Sequence, residues 1–163
     1  GEPCAGLCRE AREAGLGSTG HAGEWPGAAM VRSAIEALGA QRLGHGVRVM
    51  EDPAVVALAR EREAVFEVCL TSNVQSGAVA SLAGHPLPAM LEAGLRVTLN
   101  TDDPGVSNIT LTDEFVAAVN ELNVAPAVLK ETILSAASAA FLPEAERARL
   151  RENYSARLAG FGD

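Results

Sequence analysis

At 163 residues, 48% of them apolar and 4% aromatic, the chain is long enough for one domain whose core is built from Ala, Val and Leu rather than from stacked rings. A net charge of −8 and a single lysine, Lys130, exclude a basic stripe that would hold phosphate backbones, so no nucleic-acid partner is expected. No apolar run reaches the ~20 residues of a membrane helix, no signal-peptide pattern opens the chain, and Cys4, Cys8 and Cys69 cannot all pair; a cytoplasmic protein with reduced thiols and no membrane partner is expected.

Residues 1–15 carry Cys4, Leu7, Cys8, Ala11 and Ala14 at helical spacing and close on Gly15, which predicts a helix. A short extended segment over 16–20 runs into His21-Ala22-Gly23-Glu24. A second helix follows over 29–38, with Met30, Val31, Ala34, Ile35 and Leu38 on its apolar face. A second strand, Arg42-Leu43-Gly44, then leads into His45-Gly46.

The alternation continues. Asp52 is placed to cap a helix that begins at Pro53. Residues 65–70 are rich in strand formers and end at the polar turn Thr71-Ser72-Asn73. After a looser segment, residues 86–92 read as a short helix for which His85 serves as a cap, and 95–99 as a fourth strand that delivers Asn100-Thr101-Asp102-Asp103. Three helices are predicted beyond, over 111–122, 126–139 and 143–158.

His21, His45, Asn73 and Asp102 each fall just after a predicted strand, at intervals of 24, 28 and 29 residues. Such intervals suit one βα unit each. Strands joined by single helices pair in parallel and bring their C-terminal ends to one side, where α/β folds bind ligands. Neutral imidazole and carboxylate oxygen are suitable ligands for a zinc-like ion, which needs an open position for water. Of these residues, His21 and Asp102 suit the metal. Glu24 suits proton transfer, although an acid in a first helical turn is also favoured by the helix dipole. His45, between two glycines, is accessible to close approach. Adjacent Asp102 and Asp103 repel each other unless a cation or a proton donor relieves one of them.

Four stretches, His21-Ala22-Gly23-Glu24, Arg42-Leu43-Gly44-His45-Gly46, Glu67 to Asn73, and Leu99 to Pro104, resemble in order and spacing the motifs of the adenosine deaminases of the amidohydrolase superfamily. The run from Thr71 to Pro86 looks most like the bacterial members. The resemblance implies an α/β fold, the C-terminal half of a (β/α)8 barrel comprising about strands five to eight, followed by C-terminal helices, with residues 1–163 as a single domain. It implies His21 and Asp102 as zinc ligands, Glu24 as the acid that protonates purine N1, and His45 as the group that orients the attacking hydroxide. Asp103 would hydrogen-bond purine N7, and Gly23 would also contact the substrate. The implied reaction is hydrolysis of adenosine or 2′-deoxyadenosine to inosine or deoxyinosine and ammonia. A relative acting on adenine or an aminodeoxyfutalosine-type compound is the alternative within the class.

The family's His-x-His strand, which supplies two further zinc ligands, has no counterpart among the histidines His21, His45 and His85. Trp25-Pro26-Gly27-Ala28 also departs from the Gly-Pro that often follows the family's glutamate. The expectation is therefore a fragment of a longer protein that is poorly active alone, or an inactive product that retains purine or partner binding. Its open strand edges would encourage homo-oligomer formation.

Overall fold

The computed structural model describes residues 2–160. Four short strands, β1 (Thr19–Ala22), β2 (Arg42–His45), β3 (Val65–Val68) and β4 (Arg96–Leu99), form one parallel sheet in the order β1-β2-β3-β4. Strands adjacent in sequence are adjacent in the sheet, without the order reversal of a doubly wound fold, which is the arrangement of a barrel wall. The chain thus has the α/β architecture of half a (β/α)8 barrel. Among the described residues β1 and β4 each pair on one side only.

The register stacks Leu43, Phe66 and Val97 at one level, and all three are buried beneath the helices. Phe66, fully buried, contributes about 2–3 kcal/mol by leaving water. Around the sheet run α1 (Glu2–Glu13), α2 (Ala28–Glu36), α3 (Pro53–Glu61), α4 (Leu70–Gln75), α5 (Leu87–Glu92), α6 (Pro104–Ser107), α7 (Leu111–Asn120), α8 (Pro126–Ala139) and α9 (Glu144–Leu158), with 3-10 turns at Val47–Glu51 and Leu82–Gly84. Helix α8 packs against β4, and α9 packs against α8.

Local chemistry explains the helix ends. Asp52 Oδ1 accepts from Ala54 N at 2.8 Å and Pro53 opens α3, as its sequence predicts. At the end of α1, Gly15 N and Leu16 N donate to the carbonyls of Arg12 and Ala11, the paired bonds of a Schellman motif. Thr110 and Asp113 form a capping box on α7, and the Thr110 amide and hydroxyl hold the Asp113 carboxyl below the usual carboxylate range.

Three features differ from the expectation. Strand β1 begins three residues and ends two residues later than the extended segment over 16–20, so His21 is within the strand; the bonding to β2, which sets His21 opposite Gly44, decides this. Met30 is 46% exposed, whereas Val31, Ala34 and Ile35 of the expected face are buried together with Ala28. Residues 70–75 form a helix, not a turn, for a reason that lies in the site itself.

Candidate active site

The C-terminal ends of the four strands open on a cleft of about 410 Å³ whose lining includes His21, Gly44, His45, Cys69 and Asp102. His21 stands over β2 because Gly44 has no side chain; a Cβ there would lie 3.2 Å from the His21 ring. The His21 and His45 rings are 5.1 Å apart, centre to centre. His45 ends β2 in a left-handed conformation at φ 63°, and Asp102, three residues beyond β4, adopts φ 56°. Such backbone is uncommon outside glycine, although His and Asp tolerate it better than most residues; of the five non-glycine residues with positive φ among those described, these two line the cleft.

One nitrogen or oxygen from each of His21, His45 and Asp102 lies within 4.8 Å of the others, and among the described residues this is the one such group able to hold a metal ion. His45 Nε2 is 3.5 Å from Glu24 Oε2 and 3.8 Å from Asp102 Oδ2. Of the residues expected to converge, His21, Glu24, His45 and Asp102 do so, whereas Asp103 does not. Gly23 is buried at φ 71°, with its carbonyl accepting from Arg48 N at 3.0 Å. Asp103 is exposed; its carbonyl accepts from Val106 N and Ser107 N at the start of α6, and its residue is not among those lining the cleft.

Helix α4 braces the site. Ser72 Oγ donates to Asp102 Oδ2 at 2.6 Å, Asn73 Nδ2 meets His45 Nδ1 at 3.0 Å, and Ser76 Oγ donates to Glu24 Oε1 at 3.0 Å. The helix is itself held by Glu114 on α7, a fully buried residue whose carboxylate accepts from Leu70 N at 2.6 Å and Thr71 N at 3.0 Å. These amides begin a helix and have no partner within it, so a carboxylate satisfies them. Ser72, Ser76 and Glu114 are absent from the sequence expectation. The i, i+4 spacing of the two serines was the available signal, once the segment is known to be helical.

Cys69 lines the cleft, but burial, followed by the charges of Asp102 and Glu114, pushes its thiol up to about 12, so it stays protonated and is a poor metal ligand. His85 caps α5 as expected, with Nδ1 accepting from Leu87 N at 3.1 Å, and its Nε2 also reaches Asn73 Oδ1 at 3.2 Å. Burial lowers the His85 pKa from 6.5 to about 4. The native state therefore refuses a proton that the unfolded chain accepts between about pH 6.5 and 4, and stability falls as the pH drops through that window. The full loss attributable to this ring is about 3 kcal/mol. Urea unfolding at pH 7 and pH 4.5 is expected to show a shallower pH dependence for His85→Gln than for the unsubstituted chain; equal slopes would contradict the assignment.

Comparison with known proteins identifies the family. The adenosine deaminase family model matches residues 7–156, and the chain belongs to that family. It is 43% identical over 142 residues to an adenosine deaminase of Serratia proteamaculans (87% of this chain, 43% of the relative). It is 40% identical over 147 residues to one of Escherichia coli strain SE11 (90% of this chain, 44% of the relative). The chain thus spans less than half the length of these curated relatives. Among solved structures, an adenine deaminase from Arthrobacter aurescens superposes with a TM-score of 0.88 at 33% identity, covering 96% of this chain and 48% of that one. A Burkholderia ambifaria amidohydrolase with bound Zn gives 0.84 at 25% identity, covering 95% and 44%.

Proposed function

We propose that this chain carries the metal-binding and proton-transfer half of a site that hydrolytically deaminates adenosine or 2′-deoxyadenosine. The observation that carries the reading is the meeting of His21, His45 and Asp102 within 4.8 Å, with Glu24 3.5 Å from His45. The donors suit zinc: imidazole nitrogen and carboxylate oxygen bind it at about 2.0–2.2 Å, so two ligands on one ion stand no more than about 4.4 Å apart, a small side-chain rotation from the present spacing. His21 and Asp102 are the ligands in this reading. When bound, the ion supplies Lewis acidity and lowers the pKa of water in the cleft. The related Burkholderia ambifaria protein, solved with bound Zn, supports that choice of metal.

In the deamination, water adds to purine C6, a proton goes to N1, and ammonia leaves. Glu24 gives the proton to N1; Ser76 occupies its Oε1 and leaves Oε2 facing His45. His45, through Nε2, orients the attacking oxygen. Asp102, held by Ser72, takes a proton from the water for delivery to the departing amine. Asp103 lies outside the cleft lining as it stands, so in this reading its carboxyl reaches N7 only by turning inward on the loop after β4, and Gly23, which is buried against Val31 and Gly46, shapes the turn that presents Glu24.

The test is ammonia release from adenosine, 2′-deoxyadenosine and adenine. The chain is assayed alone and after fusion to the N-terminal half of the Serratia proteamaculans relative. Activity of the fused protein toward the nucleosides, lost with a chelator and restored by zinc, is the expected result; no release from any of the three overturns the reading. Adenine as the preferred substrate is the second reading, favoured by the likeness to the Arthrobacter aurescens adenine deaminase, and the same assay separates the two.

A further inference from the structure

The hydrogen bonds that run inward from α5 admit one polarity. The Leu87 backbone N–H can only donate, so His85 Nδ1, 3.1 Å away, presents its lone pair. The proton of the neutral His85 ring is then on Nε2, which donates to Asn73 Oδ1 at 3.2 Å. The other arm of the same amide, Nδ2, can only donate, and it lies 3.0 Å from His45 Nδ1. His45 Nδ1 must therefore be bare, and the ring proton sits on Nε2, which faces the cleft. Asn73, His45 and His85 are 0%, 2% and 4% exposed, so water does not offer a ready substitute partner for a reversed link.

We propose that His85 and Asn73 are positioning residues that hold His45 in its Nε2–H tautomer, so that His45 enters the cleft as a hydrogen-bond donor and does not ligate metal through Nε2. Geometry alone groups His45 with His21 and Asp102. The proton relay divides them: a metal requires a bare imidazole nitrogen, and the bare nitrogen of His45 is already engaged by Asn73. Burial keeps His85 neutral down to about pH 4, which preserves the chain of donors near neutrality. The inference rests on the deaminase reading only for what the Nε2 proton points at; the tautomer follows from the hydrogen bonds.

The experiment is long-range proton–nitrogen correlation on the chain labelled with 15N-histidine at neutral pH. The chain has three histidines, so three ring systems appear, and single substitutions assign them. Both His85 and His45 are expected to carry the proton on Nε2 with a bare Nδ1, and added zinc is expected to shift His21 while the His45 Nε2 proton persists. Asn73→Asp replaces the amide donor with a carboxylate that only accepts. It is expected to move the His45 proton to Nδ1 and free Nε2, so that zinc then shifts His45 together with His21. A His45 proton on Nδ1 in the unsubstituted chain, coordination of zinc by its Nε2 there, or an unchanged His45 tautomer in folded Asn73→Asp would each overturn the proposal. If Asn73→Asp does not fold, the unsubstituted spectra decide alone. Absence of ammonia release with these spectra as expected would sink the deaminase reading and leave the relay standing.

Discussion

Replacing Glu24 by glutamine is expected to lower turnover of the fused protein by about 100- to 10,000-fold, the range of a lost general acid, while zinc affinity stays within about twofold. Glutamine preserves the shape and can still accept from Ser76, so the 3.0 Å contact that seats the side chain survives. What it lacks is a carboxyl proton to give. Asp102→Asn is expected to do the reverse in order: zinc affinity falls by about 100-fold or more, because a charged ligand is lost outright where even outer-shell changes cost 10- to 100-fold, and activity falls as a consequence. Calorimetric zinc titration of each variant, set beside ammonia release, separates the two roles. A Glu24→Gln protein with full turnover, or an Asp102→Asn protein that binds zinc as tightly as before, would remove that residue from its assigned place.

The residues assigned to chemistry were easier to read from the chain than those that hold them. His21, His45 and Asp102 recur at βα-unit spacing after apolar segments, and parallel pairing then requires their strand ends to share one side. Strand boundaries were less readable: Thr19-Gly20-His21-Ala22 has little intrinsic strand preference and is extended because it bonds to β2. The polar neighbours Thr71 and Ser72 point to a turn at Asn73. Its helix depends on the Glu114 carboxylate, 44 positions from Leu70, and no local pattern announces a cap supplied from that distance. His85 shows the same limit. Its local role, accepting from Leu87 N, is visible in the His-Pro step, whereas its second bond to Asn73 exists only once α4 and α5 are folded together.

Gly46→Ala is expected to cost about 4 kcal/mol of folding stability and to displace His45 in whatever native state remains. Two terms add. Gly46 has φ 66°, where an L side chain costs about 1–2 kcal/mol. A Cβ there would also overlap Phe66 Cδ1 and approach Cε1 at 2.7 Å, and overpacking a closed core costs about 1–3 kcal/mol. The ring cannot swing away, because Phe66 is fully buried at the centre of the sheet's helix-facing side. Gly77→Ala isolates the first term: φ is 75°, nothing lies within 4 Å of the added Cβ, and the expected cost is about 1 kcal/mol. Urea unfolding of the two variants measures the difference, and equal losses would show that backbone conformation alone, not the approach to Phe66, makes glycine necessary beside His45. The pairing also explains a feature of the site. His45 occupies a left-handed conformation immediately before Gly46, so the chain turns sharply off the end of β2, over the Phe66 ring, and the imidazole is delivered to the cleft by the same tight packing that the alanine would disrupt.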